Sequence, residues 1–230
     1  MAKTKRIPLR NRTLPDYTRG EEIFNMVSHI VGGGFGVIAL VACVVVGAIY
    51  NNVWGIVSGA IYGATMITLY TMSSIYHGLT TNTSKKVFQI IDHCTIFLLI
   101  AGTYTPILLC SVREHSPAIG WVLFGVIWGA AAIGIVFNAI DLKKYQVFSM
   151  IMYLVMGWCV VFAIKPVMEA FKDNPQFLWW ILFGGISYTI GAIFYGFGKK
   201  MRYIHSVFHL FVLLGSILQF VGIILYVMPI

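Results

Sequence analysis

The stretch IVGGGFGVIALVACVVVGAIYNNVWGIVSGAIYGATMITLY, residues 30–70, decides the fold because it contains no Asp, Glu, Lys or Arg. It lies in a charge-free run over 23–84, which is long enough for two membrane-spanning helices of about 20 residues each. The polar pair Asn51-Asn52 separates two apolar blocks and predicts a turn. We therefore expect two consecutive transmembrane helices, near 27–50 and 53–79.

The composition of the whole chain is that of a membrane protein. Of its 230 residues, 59% are hydrophobic and 10% are charged, whereas soluble domains carry about 25% charged residues. This excludes a soluble enzyme and a disordered chain. The four cysteines lie in apolar runs without a CxxC pair, which excludes a disulfide-stapled secreted module and a cysteine-based zinc site.

Further charge-free runs predict five more spans. Each is close to or above the length of about 20 residues that one crossing requires. They lie near 87–110, 117–139, 146–165, 177–198 and 204–228. We expect an all-α bundle of seven transmembrane helices over 27–230, preceded by a basic segment over 1–26.

The basic residues are distributed unequally between alternate loops. All but three of the 16 lysines and arginines fall on the amino-terminal side of the predicted bundle; the exceptions are Arg113, Lys165 and Lys172. Basic residues near helix ends are retained in the cytoplasm, so we expect a cytoplasmic amino terminus, an outer carboxyl terminus and a location in the plasma membrane. The net charge of +8 then reflects topology and does not indicate nucleic-acid binding.

Glycines recur at four-residue intervals in the first two predicted helices. Gly32 and Gly36 are spaced in this way, as are Gly55, Gly59 and Gly63. Small residues at this spacing let helix backbones approach closely in a membrane. The pattern favours close packing within one chain, with a seam between copies in a homo-oligomer as the alternative.

Few ionisable residues lie within or near the predicted spans. An Asp at mid-membrane costs about 2.5–3.5 kcal/mol on insertion scales, so such residues usually have a partner or a function. Four of them, His77, Asp92, His205 and His209, fall at the cytoplasmic ends of predicted helices and therefore at one depth. His115 lies in an outer loop, where we expect it to be solvated.

The pair His205 and His209 is spaced for one helix face, where two imidazoles can bind one metal ion. Taken alone, the pair is better explained as two polar helix residues that face the loop or form hydrogen bonds to neighbouring helices. The presence of His77 and Asp92 at the same depth favours a zinc site. Three imidazoles with an open fourth position are typical of catalytic zinc.

Three residues beside these histidines are candidates for chemistry or support. Ser73 lies four residues before His77, so its hydroxyl is placed to reach a water molecule or a substrate oxygen, with a bond to its own helix as the alternative. Asp92 is placed to orient water or to act as a base. His93 is rotated by about 100° from Asp92 on a helix, so we expect it to pack or to support the site.

These residues occur in three blocks that resemble the bacterial hemolysin III proteins, the prokaryotic branch of the progestin and adiponectin receptor (PAQR) superfamily. EIFNMVSH at 22–29 is similar to the family's ExxNxxxH pattern. SSIYH at 73–77, followed by Asp92, is similar to its SxxxH pattern and downstream Asp, and HSVFH at 205–209 to its HxxxH pattern. The resemblance covers nearly the whole chain from Glu22 to the last helix.

The resemblance implies a zinc ion held by His77, His205 and His209, with Ser73 and Asp92 beside it. It also implies a ceramidase-like activity towards a lipid amide or ester. Three further residues belong to the family pattern, and we expect them to have supporting roles, with the first two capping the first helix and the third contacting the zinc layer: Glu22, Asn25 and His29.

Three functions remain open from the sequence. The first is a zinc-dependent intramembrane hydrolase with a membrane lipid as substrate. The second is a non-catalytic membrane-homeostasis or receptor-like protein whose zinc only joins helices two, three and seven, and the third is a membrane-perturbing hemolysin. A retinal protein is excluded because residues 203–230 contain no lysine, and the charge distribution argues against a G-protein-coupled receptor.

Overall fold

A computed structural model describes residues 8–80, 82–197 and 201–229, and within these ranges the chain is helical, without a strand. Eight α-helices of seven or more residues follow one another in the described part of the chain. They are α1 (Arg19–Ile49), α2 (Val53–Gly78), α3 (Thr83–Pro106), α4 (Pro117–Asp141), α5 (Gln146–Gly157), α6 (Ile164–Ala170), α7 (Gln176–Phe197) and α8 (Ile204–Tyr226).

Helix α1 begins at Arg19, so its first two turns lie inside the predicted segment 1–26. The reason is a capping box: the Glu21 amide donates to Thr18 Oγ1 (3.2 Å), and the Thr18 amide donates to Glu21 Oε2 (2.8 Å). This cap extends the helix beyond the apolar run from which its start was predicted. The turn predicted at 51–52 is confirmed, and Asn52 Oδ1 caps α2 by accepting from the Gly55 amide (2.8 Å).

The helix predicted over 146–165 is interrupted. Helix α5 ends at Gly157, a 3-10 turn follows at Cys159–Val161, and α6 contains Pro166. The Tyr104 hydroxyl donates to the Gly157 carbonyl (2.8 Å) and accepts from the Val160 amide (3.2 Å). These bonds satisfy polar backbone groups that an intact helix would have paired.

Six helical segments among the described residues are long and apolar enough to cross a membrane. One of them joins α3 to a π-helical segment, Ile107–Val112, and a final turn that ends at His115. The chain is therefore a multi-pass membrane protein. The interrupted stretch that contains α5 and α6 is not among the six.

The glycine pattern serves the packing of α1 against α2. A Cβ atom at Gly59 would lie 2.7 Å from Cys43 Cβ, and one at Gly47 would lie 2.8 Å from the Ile56 backbone nitrogen. The two backbones thus approach too closely for larger side chains. This confirms close packing within the chain, whereas a homo-oligomer stays a prediction.

The ends of the helices gather at the two ends of the bundle, here called the site end and the opposite end. The site end contains the starts of α1 and α8 and the end of α2, as shown by the bond from the Tyr203 amide to Glu21 Oε1 (2.7 Å) and the contact between Glu22 and His77. The opposite end contains the start of α2 and the start of α4, where the Trp54 and Trp121 rings lie 5.6 Å apart.

Candidate metal centre

Three buried histidines meet at the site end and form the three-histidine cluster: His77 from the last turn of α2, and His205 and His209 from the first turns of α8. One ring nitrogen of each lies within 4.8 Å of the other two. The Nε2 atoms of His205 and His209 are 3.1 Å apart. Nitrogen ligands of a tetrahedral zinc ion lie about 3.3 Å apart when the Zn–N bonds are about 2.0–2.1 Å.

His77 is held by a carboxylate, that of Glu22, which is partly buried. Its Nδ1 lies 2.6 Å from Glu22 Oε2, while Glu22 Oε1 binds Lys85 Nζ at 2.7 Å. Lys85 Nζ also donates to the Leu79 carbonyl (2.8 Å). Because Nδ1 faces a carboxylate, it carries the proton, and Nε2 is the nitrogen available to a metal.

The cluster has the features of a metal-binding donor set. His77 Nε2 is buried and has no hydrogen-bond partner within the described part of the chain. Such an atom is costly to bury unless something binds it. Three imidazoles, one of them oriented by a carboxylate, fit a zinc ion.

The residues of the ExxNxxxH motif, Glu22, Asn25 and His29, surround the cluster. The prediction that the first two cap α1 is wrong, because Thr18 caps this helix. Glu22 holds His77, as described above. Asn25 Oδ1 accepts from the hydroxyl of Ser206 (2.7 Å), which follows His205. The His29 ring stacks on His209, with centroids 3.8 Å apart and planes 21° apart. These contacts fix the rotation of α8 relative to α1.

Asp92, Ser73 and His93 lie beside the cluster. Ser73 and Asp92 interact through their side chains, and Asp92 Oδ2 lies 3.4 Å from His93 Nδ1. His93 Nδ1 also lies 2.8 Å from the Gln89 carbonyl, and its Nε2 lies 3.3 Å from the Tyr195 hydroxyl. Because a carbonyl only accepts, Nδ1 carries a proton and donates it to Gln89.

A narrow cavity, here the bundle cavity, leads from these residues into the membrane-spanning part of the protein. Its volume is about 160 Å³, and Ser73, Asp92 and His209 line it at the site end. Phe177 and Gln219 line it towards the opposite end, and most of the residues between are apolar. The arrangement is suited to an aliphatic chain whose polar group lies next to the histidines.

Three site residues have no distinguishing pattern in the sequence. Lys85 indicates only orientation there, yet its side chain is 5% exposed and binds Glu22. Tyr195 contacts His93 from α7. Tyr17 precedes α1, and its ring stacks on His205 at 4.9 Å and 15°. Burial, with lesser contributions from Tyr195 and Glu22, raises the pKa of the Tyr17 phenol above its usual value, so it stays neutral.

Comparisons with known proteins agree with this architecture. Residues 17–220 match the family described as "Haemolysin-III related". The chain is 38% identical over 210 residues to "Hemolysin-3 homolog" of Bacillus subtilis (strain 168). The aligned region covers 91% of this chain and 96% of that protein. The chain is also 36% identical over 209 residues to "Hemolysin-3" of Bacillus cereus, covering 91% and 93%.

A more distant similarity extends to animals. The chain is 24% identical over 190 residues to "Monocyte to macrophage differentiation factor" of Homo sapiens, covering 80% of this chain and 76% of that protein. Both bacterial relatives exceed 30% identity along nearly their full length. The family match and these relatives together show that the chain belongs to the haemolysin-III-related family.

Proposed function

We propose that this protein is a zinc-dependent hydrolase that acts within the membrane on a lipid amide or ester, in the manner of a ceramidase. The observation that carries the proposal is the three-histidine cluster at the head of an apolar cavity. A lipid could then lie in the bundle cavity with its polar linkage beside the ligands His77, His205 and His209. Apolar cavities with a few convergent polar groups are typical of ligand sites.

The proposal includes the topology. We propose that the stretch 146–170, which contains α5 and α6, makes a seventh crossing. The starts of α1 and α8 lie at the same end of the bundle, so the chain has to cross an even number of times between them. The candidate spans before α8 provide only five crossings. The distribution of lysine and arginine supports a cytoplasmic amino terminus in the plasma membrane. The cluster would then lie at the cytoplasmic side.

Each residue of the site has a role in the proposed reaction. Zinc bound by the histidines would polarise the scissile carbonyl and activate a water molecule. Asp92 would accept a proton from the attacking water and return it to the leaving amine or alcohol as the carbonyl–heteroatom bond breaks. The Ser73 hydroxyl would donate a hydrogen bond to a substrate oxygen, and Glu22 would hold His77 in the ligating orientation.

A second candidate is a non-catalytic protein in which zinc only joins helices. It is favoured by the position of the ligands, which come from α2 and α8 and would be fixed to one another by a metal. The names of the bacterial relatives add membrane perturbation as a third candidate. These candidates differ from the hydrolase in what Asp92 and Ser73 contribute.

The test begins with zinc analysis and lipid hydrolysis on the same purified samples. We expect about one zinc ion per chain, as for a single three-histidine site, and none in His209→Ala. Fatty acid should be released from a panel of lipid amides and esters. Asp92→Ala and Ser73→Ala should keep the zinc, and removal of the acid–base group Asp92 should slow release about 10²–10⁴-fold.

The chain provides a matched control for each step. Ser74→Ala should retain activity, because the Ser74 hydroxyl donates to the Tyr70 carbonyl of its own helix (2.7 Å). His115→Ala should retain zinc, because His115 lies outside the cluster. Bound zinc without any hydrolysis across the panel would support the non-catalytic candidate, and zinc-free wild-type protein would overturn both.

A further inference from the structure

The segment before α1, residues 8–18 and here called the strap, lies across the site end and is attached at several points. Arg12 Nη2 forms an ion pair with Asp141 Oδ1 at the end of α4 (3.4 Å), and the two side chains are only 10% and 12% exposed. At its other end, Arg202 donates to the Asp16 carbonyl (3.0 Å). Burial of the first pair indicates a defined attachment rather than a loose surface contact.

The strap forms one wall of a second cavity, here the vestibule. Its volume is about 580 Å³, and strap residues from Arg12 to Tyr17 line one side. Gln89, His93, Tyr195 and His205 are among the residues that line the other. Polar side chains are frequent in this lining, in contrast to the apolar bundle cavity. The vestibule is therefore suited to water and small polar solutes.

The two cavities share a wall beside the cluster. Five residues line both of them: His93, Leu142, Gln146, Tyr195 and His205. Tyr17 covers this junction from the strap: its ring stacks on His205 (4.9 Å) and lies 5.9 Å from the His77 ring. A small solute that moves from the vestibule to the ligands along His205 would have to pass Tyr17 or displace it.

We propose that the vestibule is the path by which water and small polar solutes reach the three-histidine cluster, and that the strap restricts this path through Tyr17. This polar route would be distinct from the apolar bundle cavity and would give the proposed hydrolase a controlled entry for water. The zinc-based test of this route rests on the proposed function, and a second test does not.

The first experiment measures the rates at which the purified protein binds zinc and releases it to a polar chelator. If the strap opens in about 10% of molecules or fewer, as is usual for minor states, Tyr17→Ala should raise both rates about tenfold or more and leave the equilibrium affinity unchanged. Tyr17→Phe should behave like the wild type, because it keeps the stacked ring. Tyr145→Ala is a matched control, because Tyr145 contacts Phe137 and Phe148 and lies outside the cluster.

This kinetic pattern separates access from ligand support. If Tyr17→Ala raises the release rate but not the binding rate, zinc affinity falls, and Tyr17 only steadies His205. That result overturns the proposal, as do unchanged rates. If wild-type protein binds no zinc, the proposed function fails, and the strap is then judged by the second experiment.

The second experiment measures passage beyond Tyr17 without a metal. In a variant lacking the four native cysteines, Ser73→Cys would place a thiol beside the cluster, since Ser73 lines the bundle cavity and not the vestibule. Labelling by a small charged thiol reagent should accelerate when Tyr17→Ala or Arg12→Gln is added. Labelling of Ser84→Cys, at an exposed position, should not change. Equal labelling of Ser73→Cys with and without the strap substitutions would overturn the proposal.

Discussion

The ion pair beside the three-histidine cluster is largely buried, whereas the ion pair at the opposite end of the bundle is exposed. Lys85 and Glu22 are 5% and 18% exposed at a separation of 2.7 Å. At the opposite end, Lys172 and Glu169 are 59% and 65% exposed at 3.2 Å. An exposed pair contributes about 0–1 kcal/mol, whereas removing one partner of a buried pair leaves an uncompensated charge.

Packing differs in the same way. The opposite end is filled by apolar side chains, with the Phe171 and Phe177 rings stacked at 3.9 Å and Met228 fully buried. The site end instead buries histidines, an amide and charged groups, including Asn25 and Lys85. Close packing holds one end together, whereas specific polar pairs hold the other. A substitution at the opposite end should therefore change folding, and one at the site end should change binding.

The largest effect is expected from Gly47→Val at the opposite end. A Cβ atom there would lie 2.8 Å from the Ile56 nitrogen and 3.0 Å from the Gly55 carbonyl carbon. Because these are backbone atoms, α1 and α2 would have to separate, at a cost of about 3 kcal/mol or more. We expect a lower yield of folded protein and a lower midpoint of thermal unfolding.

The control lies on the same helix. A Cβ atom at Gly34 would meet no other atom within 4 Å, so Gly34→Val should unfold close to the wild-type temperature. The molecules of Gly47→Val that do fold should bind as much zinc per chain as the wild type. Loss of zinc from folded Gly47→Val would show that the two ends are not independent.

A smaller effect, confined to binding, is expected from Glu22→Gln at the site end. The amide keeps the shape of the side chain but removes the charge that faces His77 Nδ1 (2.6 Å) and Lys85 Nζ (2.7 Å). Loss of such a supporting carboxylate typically lowers metal affinity about 10–100-fold. Competition with a zinc chelator measures this change.

The matched control for Glu22→Gln is Glu169→Gln, which removes an exposed carboxylate at the opposite end. It should leave zinc affinity unchanged. If Glu22→Gln binds zinc as tightly as the wild type, the contact between Glu22 and His77 does not support a metal ligand.

Much of the fold could be predicted because charge-free runs reveal where a chain can cross lipid. The end of α2 at Gly78 and the start of α4 at Pro117 lie within a residue of the predicted positions. The interruption after Gly157 could not be predicted in the same way, because hydropathy reports crossing length and not backbone continuity. The hydroxyl of Tyr104, which supports the break, is distant in sequence.

The grouping of the histidines could be predicted because helical spacing and membrane depth place His77, His205 and His209 in one layer. The partners of these residues could not. The contact of Glu22 with His77 depends on how α1 and α2 are rotated against each other. Tyr17 lies in a segment without helical periodicity, so its stacking on His205 has no signal in the sequence.

The smallest effect is expected at the polar contact of the opposite end, where Arg113 Cζ lies 4.4 Å from the ring centroid of Trp54. Arg113 Nε also donates to the Leu109 carbonyl (2.7 Å), so a single substitution removes two interactions. A double-mutant cycle with Arg113→Gln and Trp54→Leu isolates the cation–π contact. Its coupling energy should be about 0.5–1 kcal/mol in thermal or denaturant unfolding.

Zinc affinity should be unchanged in all three variants, because neither residue contacts the three-histidine cluster. A coupling energy near zero would mean that apolar packing alone holds the opposite end, which would make the two ends differ even more than their ion pairs indicate.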